Sequence, residues 1–264
     1  MSYPIIEIPD NAPELPEQQG TKTKYWIHLD GKHYLFKIGR KNTGENWAEV
    51  VACALCELLG LPHAHYDFAV WKQQKGVISK NIVPVDARLV MGNELLSEVY
   101  ESYPFDSKYK VQDHTLGRIF TLLSIPAIQF PLNSTIPRAK NTSAIDVFLG
   151  YLLLDAWIAN QDRHHENWGV IHGDKQIYLA PTYDHAASMG QNEKDAKRHE
   201  LLTTRDKNRH ISHYITKARS AIYAKKSDNK PILTLEAFQQ FGKKKTRSGK
   251  ILVTTIKRHF SAAV

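Results

Sequence analysis

The run Asn160-Gln161-Asp162-Arg163-His164-His165-Glu166-Asn167, followed later by Tyr183-Asp184, sets out groups that could do chemistry together. A carboxylate is followed five positions on by a carboxamide, and beyond a short strand-like insert by a second carboxylate. Phosphoryl transfer asks for this kind of set: a group that orients an attacking hydroxyl, oxygen ligands for a metal, and cations on the phosphates. Asp162 is the candidate to orient or deprotonate the hydroxyl. Asn167 and Asp184 offer the hard oxygen donors that Mg²⁺ favours. A lone aspartate in a loop more often caps local amides. Three such groups around a strand-turn-strand tip the reading towards phosphoryl transfer.

The cation is sought further upstream. Lys37 stands in the apolar strand-like run Leu35-Phe36-Lys37-Ile38, where a lysine without a partner would be costly. Glu49, on the helix that follows, is the natural partner. The plainer alternative, an edge-strand lysine and a surface glutamate, is about even for these two residues alone. Gly20-Thr21-Lys22-Thr23-Lys24 precedes the first strand and is the candidate phosphate-covering loop. It has one glycine and matches no named phosphate-loop motif, but the backbone amides with Thr21, Lys22 or Lys24 could still cradle an anion.

These residues must be positioned by elements the sequence also announces. Residues 1–19 contain four prolines and several acids, and read as a flexible or extended lead-in. Lys24–Leu29 and His33–Ile38 predict a hairpin around Asp30-Gly31. A helix is predicted from about Trp47 to Leu59, closed by Gly60 and stopped by Pro62. Two strands follow, Tyr66–Trp71 and Gly76–Ile82, with a turn at Lys72–Lys75. Beyond Pro84 helices dominate, near Gly92–Tyr100, Leu116–Ser124, Ala144–Asn160, Ile211–Ala224, Leu235–Phe241 and Ile251–Phe260. Short strands at Trp168–His172 and Gln176–Leu179 flank a turn. The expectation is an α+β, two-lobed fold: a strand-rich ATP-binding N-lobe over residues 20–84 and a helical C-lobe with the catalytic loop over 85–264.

Composition bounds the reading. A chain of 264 residues that is 42% hydrophobic can bury a substantial core. No stretch reads as a membrane span, since the longest apolar run, Ala144–Asn160, carries Asp146 and Asp155. There is no basic-then-apolar leader at the N-terminus, and Cys53 and Cys56 are the only cysteines, so a reducing cytoplasm is expected. Both cysteines fall on an apolar helix stripe and read as buried small hydrophobes. His164-His165-Glu166 lacks the spacing of a zinc hydrolase. The net charge of +8 is concentrated late, around Arg198–Arg209 and Lys243–Lys250, and favours anionic partners, with RNA as a side hypothesis.

The D-R-H-x-x-N loop at Asp162–Asn167 followed by Tyr183-Asp184 resembles the HipA family of bacterial serine/threonine protein kinases, toxins of toxin–antitoxin pairs. Phosphoinositide kinases share the loop. Phe36-Lys37, the helix ending in Glu57-Leu58-Leu59-Gly60-Leu61-Pro62, and Gly76–Asn81 are similar to the family's lysine strand, helix and hinge strand. The resemblance implies ATP and Mg²⁺ as cofactors, Asp162 as the catalytic aspartate, and Asn167 and Asp184 as metal ligands. It places Lys37 on the phosphates, His164 in the nucleotide-contacting loop, Gly20–Lys24 over the phosphates, and Ser79, Lys80 and Asn81 beside adenine. It also implies a protein substrate, such as a tRNA synthetase or another translation factor, and an antitoxin partner. The chain is a short form of that pattern. Its candidate phosphate loop has Thr21 and Thr23 but no serine, so self-inhibition by phosphorylation there is either not expected or moved to threonine. A lipid or small-molecule kinase, AMP transfer, and a nucleotide-binding pseudokinase or RNA-binding module are the competing readings.

Overall fold

The structure is a computed structural model and describes residues 3–12, 14–17, 23–107, 109–132 and 142–248. Its first half consists of β1 (Ile5–Glu7), β2 (Glu14–Glu17), β3 (Lys24–Leu29), β4 (Lys32–Ile38), α1 (Glu45–Leu59), β5 (Asp67–Trp71) and β6 (Gln74–Lys80). The six strands form one sheet in the order β1-β5-β6-β4-β3-β2. The stretch expected to be a flexible or extended lead-in is extended where described and supplies both edges. Ile5–Glu7 pairs parallel to β5, and Glu14–Glu17 pairs antiparallel to β3. Ile8 and Ala12 between them are buried against Ile27, Phe36 and Trp71, and an edge strand tolerates Pro16 because one row of its donors needs no partner.

Two tight hairpins define the sheet. Asp30 and Gly31 take φ of 47° and 72°, the left-handed pair that suits a two-residue turn. Lys72 and Gln73 take φ of 47° and 62°, so the turn expected over Lys72–Lys75 closes sooner and β6 starts at Gln74. No Asn-Gly or Asp-Gly announces that turn. Helix α1 begins at Glu45, two residues before the expected start. It ends at Gly60, whose φ of 65° lets its N–H reach the carbonyls of Cys56 and Glu57.

The second half contains β7 (Arg88–Met91), α2 (Gly92–Val99), α3 (Leu116–Leu123), β8 (Ile128–Gln129), α4 (Ala144–Trp157), β9 (Gly169–His172), β10 (Ile177–Leu179), α5 (Asp195–Thr203), α6 (Ile211–Thr216) and α7 (Thr234–Ser248). Four strands form a small sheet in the order β7-β9-β10-β8. Helix α4 is apolar nearly all round and correspondingly buried. Phe148 on α4 meets Phe241 on α7 with ring centroids 5.5 Å apart. No helix among the described residues is long and apolar enough to cross a membrane.

Several boundaries differ from the sequence reading. α4 stops at Trp157 because Ala159, with φ of 53°, turns the chain into the loop that carries Asp162. The helix expected over Ile211–Ala224 covers only Ile211–Thr216, since Arg219 and Tyr223 are drawn into bridges with Leu233 and Thr115. α7 runs well beyond Phe241. The expected helix at Ile251–Phe260 lies outside the described residues.

Candidate active site

Lys37 is placed by the centre of the larger sheet. It sits on β4 opposite Lys24 of β3 and Val77 of β6. The close approach of β6 depends on Gly76, where a Cβ would come within 2.3 Å of the Lys37 carbonyl oxygen. The side chain is buried, with Nζ 3.2 Å from Glu49 Oε1, 3.5 Å from Asp184 Oδ1 and 3.0 Å from the Tyr66 hydroxyl. Burial opposes the charge, but the carboxylates of Asp184 and Glu49, with Tyr66, outweigh it and hold the pKa well above the ordinary lysine value. Lys37 is therefore a fixed cation facing two carboxylates.

Glu49 does more than pair with the lysine. Its second oxygen, Oε2, accepts the backbone N–H of His185 at 2.8 Å. Asp184 has a left-handed φ of 58°, and its own N–H is donated to the Tyr66 hydroxyl at 3.4 Å. Helix α1, the start of β5 and the Asp184 turn thus meet around one ammonium group.

The loop after α4 is built on a buried ion pair. Arg163 has no exposed side-chain surface, and it grips Asp155 of α4 with two nitrogens, at 2.8 and 2.7 Å. Its remaining nitrogen donates to the Asn167 carbonyl at 2.7 Å. Asn160 donates to the same Asp155 at 2.8 Å and accepts the Asp162 N–H at 3.1 Å. The Asn167 amide nitrogen donates to the Asp162 carbonyl at 2.7 Å, which leaves Oδ1 as its oxygen donor for a cation. His165 anchors the loop from behind. Its Nδ1 lies 2.8 Å from the Tyr103 hydroxyl, and burial with His164 nearby lowers its pKa to about 4, so it is neutral. His164 accepts the Glu166 N–H on Nδ1, which leaves the proton on Nε2, 3.8 Å from Asp162 Oδ1.

A cleft of about 980 Å³ lies between the larger sheet and this loop. Lys24, Lys37, Ser79, Lys80 and Asn81 line it from the sheet, and Asp162, His164, Asn167 and Asp184 from the other side. Glu49 reaches it through Lys37. Of the residues singled out from the sequence, Gly20, Thr21 and Lys22 lie outside the described residues. Leu35, Ala64, Ile82, Leu89 and Met91 add an apolar wall near Ser79–Asn81. A smaller hollow of about 210 Å³ opens on Asp162 as well, walled by Val111, Arg219, Ser220 and Tyr223.

Sequence reasoning missed Tyr66, Asn160 and the Asp155–Arg163 pair. Asp155 sits in an otherwise apolar helix, and a carboxylate there signals a buried partner. Tyr66 carried no such signal. Asp184 and Asn167 present the hard oxygen ligands that suit Mg²⁺, while Lys37 and Lys24 line the same cleft with charge that suits anionic phosphate.

The family model described as HipA-like C-terminal domain matches residues 17–245. Among solved structures, the Helicobacter pylori proinflammatory kinase CtkA is similar with a TM-score of 0.67 and 19% identity, over 87% of this chain and 75% of that one. HipA of Shewanella oneidensis MR-1, solved with HipB and operator DNA, gives a TM-score of 0.49 and 16% identity over 88% of this chain and 54% of that one. A thermostable mutant of aminoglycoside phosphotransferase APH(4)-Ia, in complex with ADP and hygromycin B, gives 0.31 and 10% over 67% of each chain. No curated protein matches. The chain therefore spans about three quarters of the first structure and about half of the second. The architecture is the two-lobed, protein-kinase-like α+β fold expected from the sequence.

Proposed function

The chain belongs to the HipA-like C-terminal domain family, and on that premise we propose that it is an ATP- and Mg²⁺-dependent kinase acting on serine or threonine hydroxyls of a protein. The observation that carries this is the placement of Lys37 Nζ 3.2 Å from Glu49 and 3.5 Å from Asp184, in a cleft that Asp162 and Asn167 also line. A lysine held by a helix glutamate and facing a metal-binding aspartate is the arrangement that binds nucleotide phosphates in kinases.

In this reading the apolar wall near Ser79, Lys80 and Asn81 receives the adenine. Lys37 holds the phosphates, with Lys24 lining the same cleft. Asn167 and Asp184 would hold Mg²⁺, which would neutralise charge on the phosphates. Asp162 orients the acceptor hydroxyl and takes its proton. Its side chain is 40% exposed, compared with 7% for Lys37, so an acceptor can reach it from solvent. His164 has its Nε2 proton on the Asp162 side and steadies that carboxylate.

The family resemblance names a protein acceptor and extends the proposal to a toxin held by an antitoxin. Incubation with γ-labelled ATP and a cell lysate tests the first point. Label in protein, lost in Asp162→Ala, supports it; label only in lipid or small molecules contradicts it. Co-expression with the adjacent gene tests the second, and a stable complex is the expected result.

A further inference from the structure

Away from the cleft, four metal-binding side chains converge on the outer side of α1. Cys53 and Glu57 lie one turn apart on the helix, and His63 and His65 follow on the segment leading into β5. Their ligand atoms all fall within 4.8 Å of one another. Cys53 Sγ is 3.6 Å from His65 Nδ1, His65 Nδ1 is 3.6 Å from Glu57 Oε1, and His63 Nε2 is 3.9 Å from the same oxygen. Ligands held at about 2.0–2.3 Å around a tetrahedral ion lie roughly 3.3–3.8 Å apart. The group is thus within a few tenths of an ångström of that geometry along these edges.

The outer hydrogen bonds point the same way. His63 Nδ1 is 2.7 Å from the Leu61 carbonyl, and His65 Nε2 is 3.2 Å from Asp67 Oδ2. The Leu61 carbonyl can only accept, so His63 gives it the Nδ1–H and turns its Nε2 lone pair inward; Asp67 offers His65 an outer acceptor of the same kind, as zinc-bound histidines have. The Tyr66 backbone N–H donates to Cys53 Sγ at 3.5 Å, a bond that supports a thiolate. A set of ordinary surface ion pairs has no need for both rings to be oriented in this way.

We propose that Cys53, Glu57, His63 and His65 form a zinc-type metal site that braces α1 against the segment behind the cleft. Sulfur, two imidazoles and one carboxylate are the donors a borderline-soft divalent ion selects, and four protein ligands make a closed site rather than a catalytic one. Glu57 and His65 are 57% and 58% exposed, so the ion enters from solvent. On binding, the Cys53 S–H bond breaks, a sulfur–metal bond forms and the proton leaves to water.

The braced parts lead directly to Lys37. Glu49 is one turn ahead of Cys53 on α1, and Tyr66, bonded to Cys53 by its N–H, touches Lys37 with its hydroxyl. The segment carrying His63 also pairs with Thr182, through Ala64 N–H to Thr182 O at 2.9 Å and Thr182 N–H to Pro62 O at 3.0 Å. Thr182 is two residues before Asp184.

The site is independent of the phosphoryl-transfer reading and has its own test. Untagged full-length protein in excess Mg²⁺, which fills hard-oxygen sites, is titrated with Zn²⁺ against a chromophoric chelator and separately with Co²⁺. Expected are one tightly bound equivalent, a rise in melting temperature, tetrahedral cobalt absorption and a thiolate-to-cobalt charge-transfer band. Cys53→Ser removes that band while Cys56→Ser keeps it. His65→Ala, at an exposed position, weakens zinc binding without unfolding the protein, and Asp67→Asn weakens it by about 10–100-fold. Absence of saturable zinc binding, a cobalt spectrum without the thiolate band, or affinity unchanged in His65→Ala would overturn the proposal.

Discussion

The hydroxyl of Tyr66 stands 3.0 Å from the Nζ of Lys37. The same oxygen accepts the Asp184 N–H at 3.4 Å, and the ring centroid lies 4.9 Å from the ammonium. One phenol therefore sets the spacing between Lys37 and Asp184. Tyr66→Phe keeps the ring and loses both bonds, each worth about 1 kcal/mol. The expected result is a five- to thirtyfold loss in kcat/KM for ATP together with a fall of several degrees in melting temperature. Steady-state kinetics alongside a thermal melt checks it.

Glu49 is buried and shared between Lys37 and the His185 amide. Glu49→Ala leaves a buried ammonium with one carboxylate fewer and an amide without its acceptor, and should cost about 3–5 kcal/mol of stability. Replacing both partners, Lys37→Met with Glu49→Leu, should recover part of that stability and none of the activity. Denaturant unfolding of the single and double variants makes the comparison.

Arg163 holds the Asp162–Asn167 loop by a two-pronged grip on Asp155 and a third bond to the Asn167 carbonyl. Lysine keeps the charge but cannot make the fork. Arg163→Lys should therefore lose about 1.5–3 kcal/mol in stability, the worth of a hydrogen bond to a charged group. It should also lose turnover, because Asp162 and Asn167 are positioned by the same loop. Normal turnover in a destabilised variant would separate the two effects.

His114 gives the fold an acid limit. It is buried between the Ala221 carbonyl, 3.2 Å from Nδ1, and the Trp168 N–H, which donates to Nε2 at 3.0 Å. Burial, then neighbouring His165, pushes its pKa down from 6.5 to about 3. Between those values the unfolded chain binds a proton that the folded protein refuses, so stability is full above 6.5 and falls as pH drops towards 3. His114→Gln should be less stable near neutral pH, with unfolding that takes up roughly one proton fewer in mild acid. Unfolding free energies measured across that range check the slope.

The convergence of Lys37 with Asp162, Asn167 and Asp184 on one cleft was legible because several constraints coincide there. Lys37 sits in an apolar strand, Glu49 follows on a capped helix, and three oxygen-bearing side chains flank a predicted strand-turn-strand. The Asp30-Gly31 hairpin and the Gly60 cap were legible for the same reason, since the turn chemistry and the periodicity agree. Other features depended on tertiary partners. Ile5–Glu7 forms a strand only because β5 offers an edge to pair with. Tyr66 becomes a site residue only where β5 starts beneath Lys37. Cys53 reads as a core residue on its helix stripe, and the His63-x-His65 spacing that completes its surroundings carries weight only once the two segments are seen together.

In the proposed function, Asp162, in a cleft with Lys37, Asn167 and Asp184, directs an acceptor hydroxyl onto the γ-phosphate of ATP. The most direct measurement is transfer of label from γ-labelled ATP to protein in a cell lysate, comparing the wild type with Asp162→Ala. A thermal melt of each, with and without Mg·ATP, runs in parallel. Labelled serine or threonine is expected with the wild type. The variant should lose at least about 10²-fold of that labelling, within the range for a positioned acid–base group, with folding and nucleotide-induced stabilisation retained. Equal labelling by a folded Asp162→Ala protein would contradict that role of Asp162.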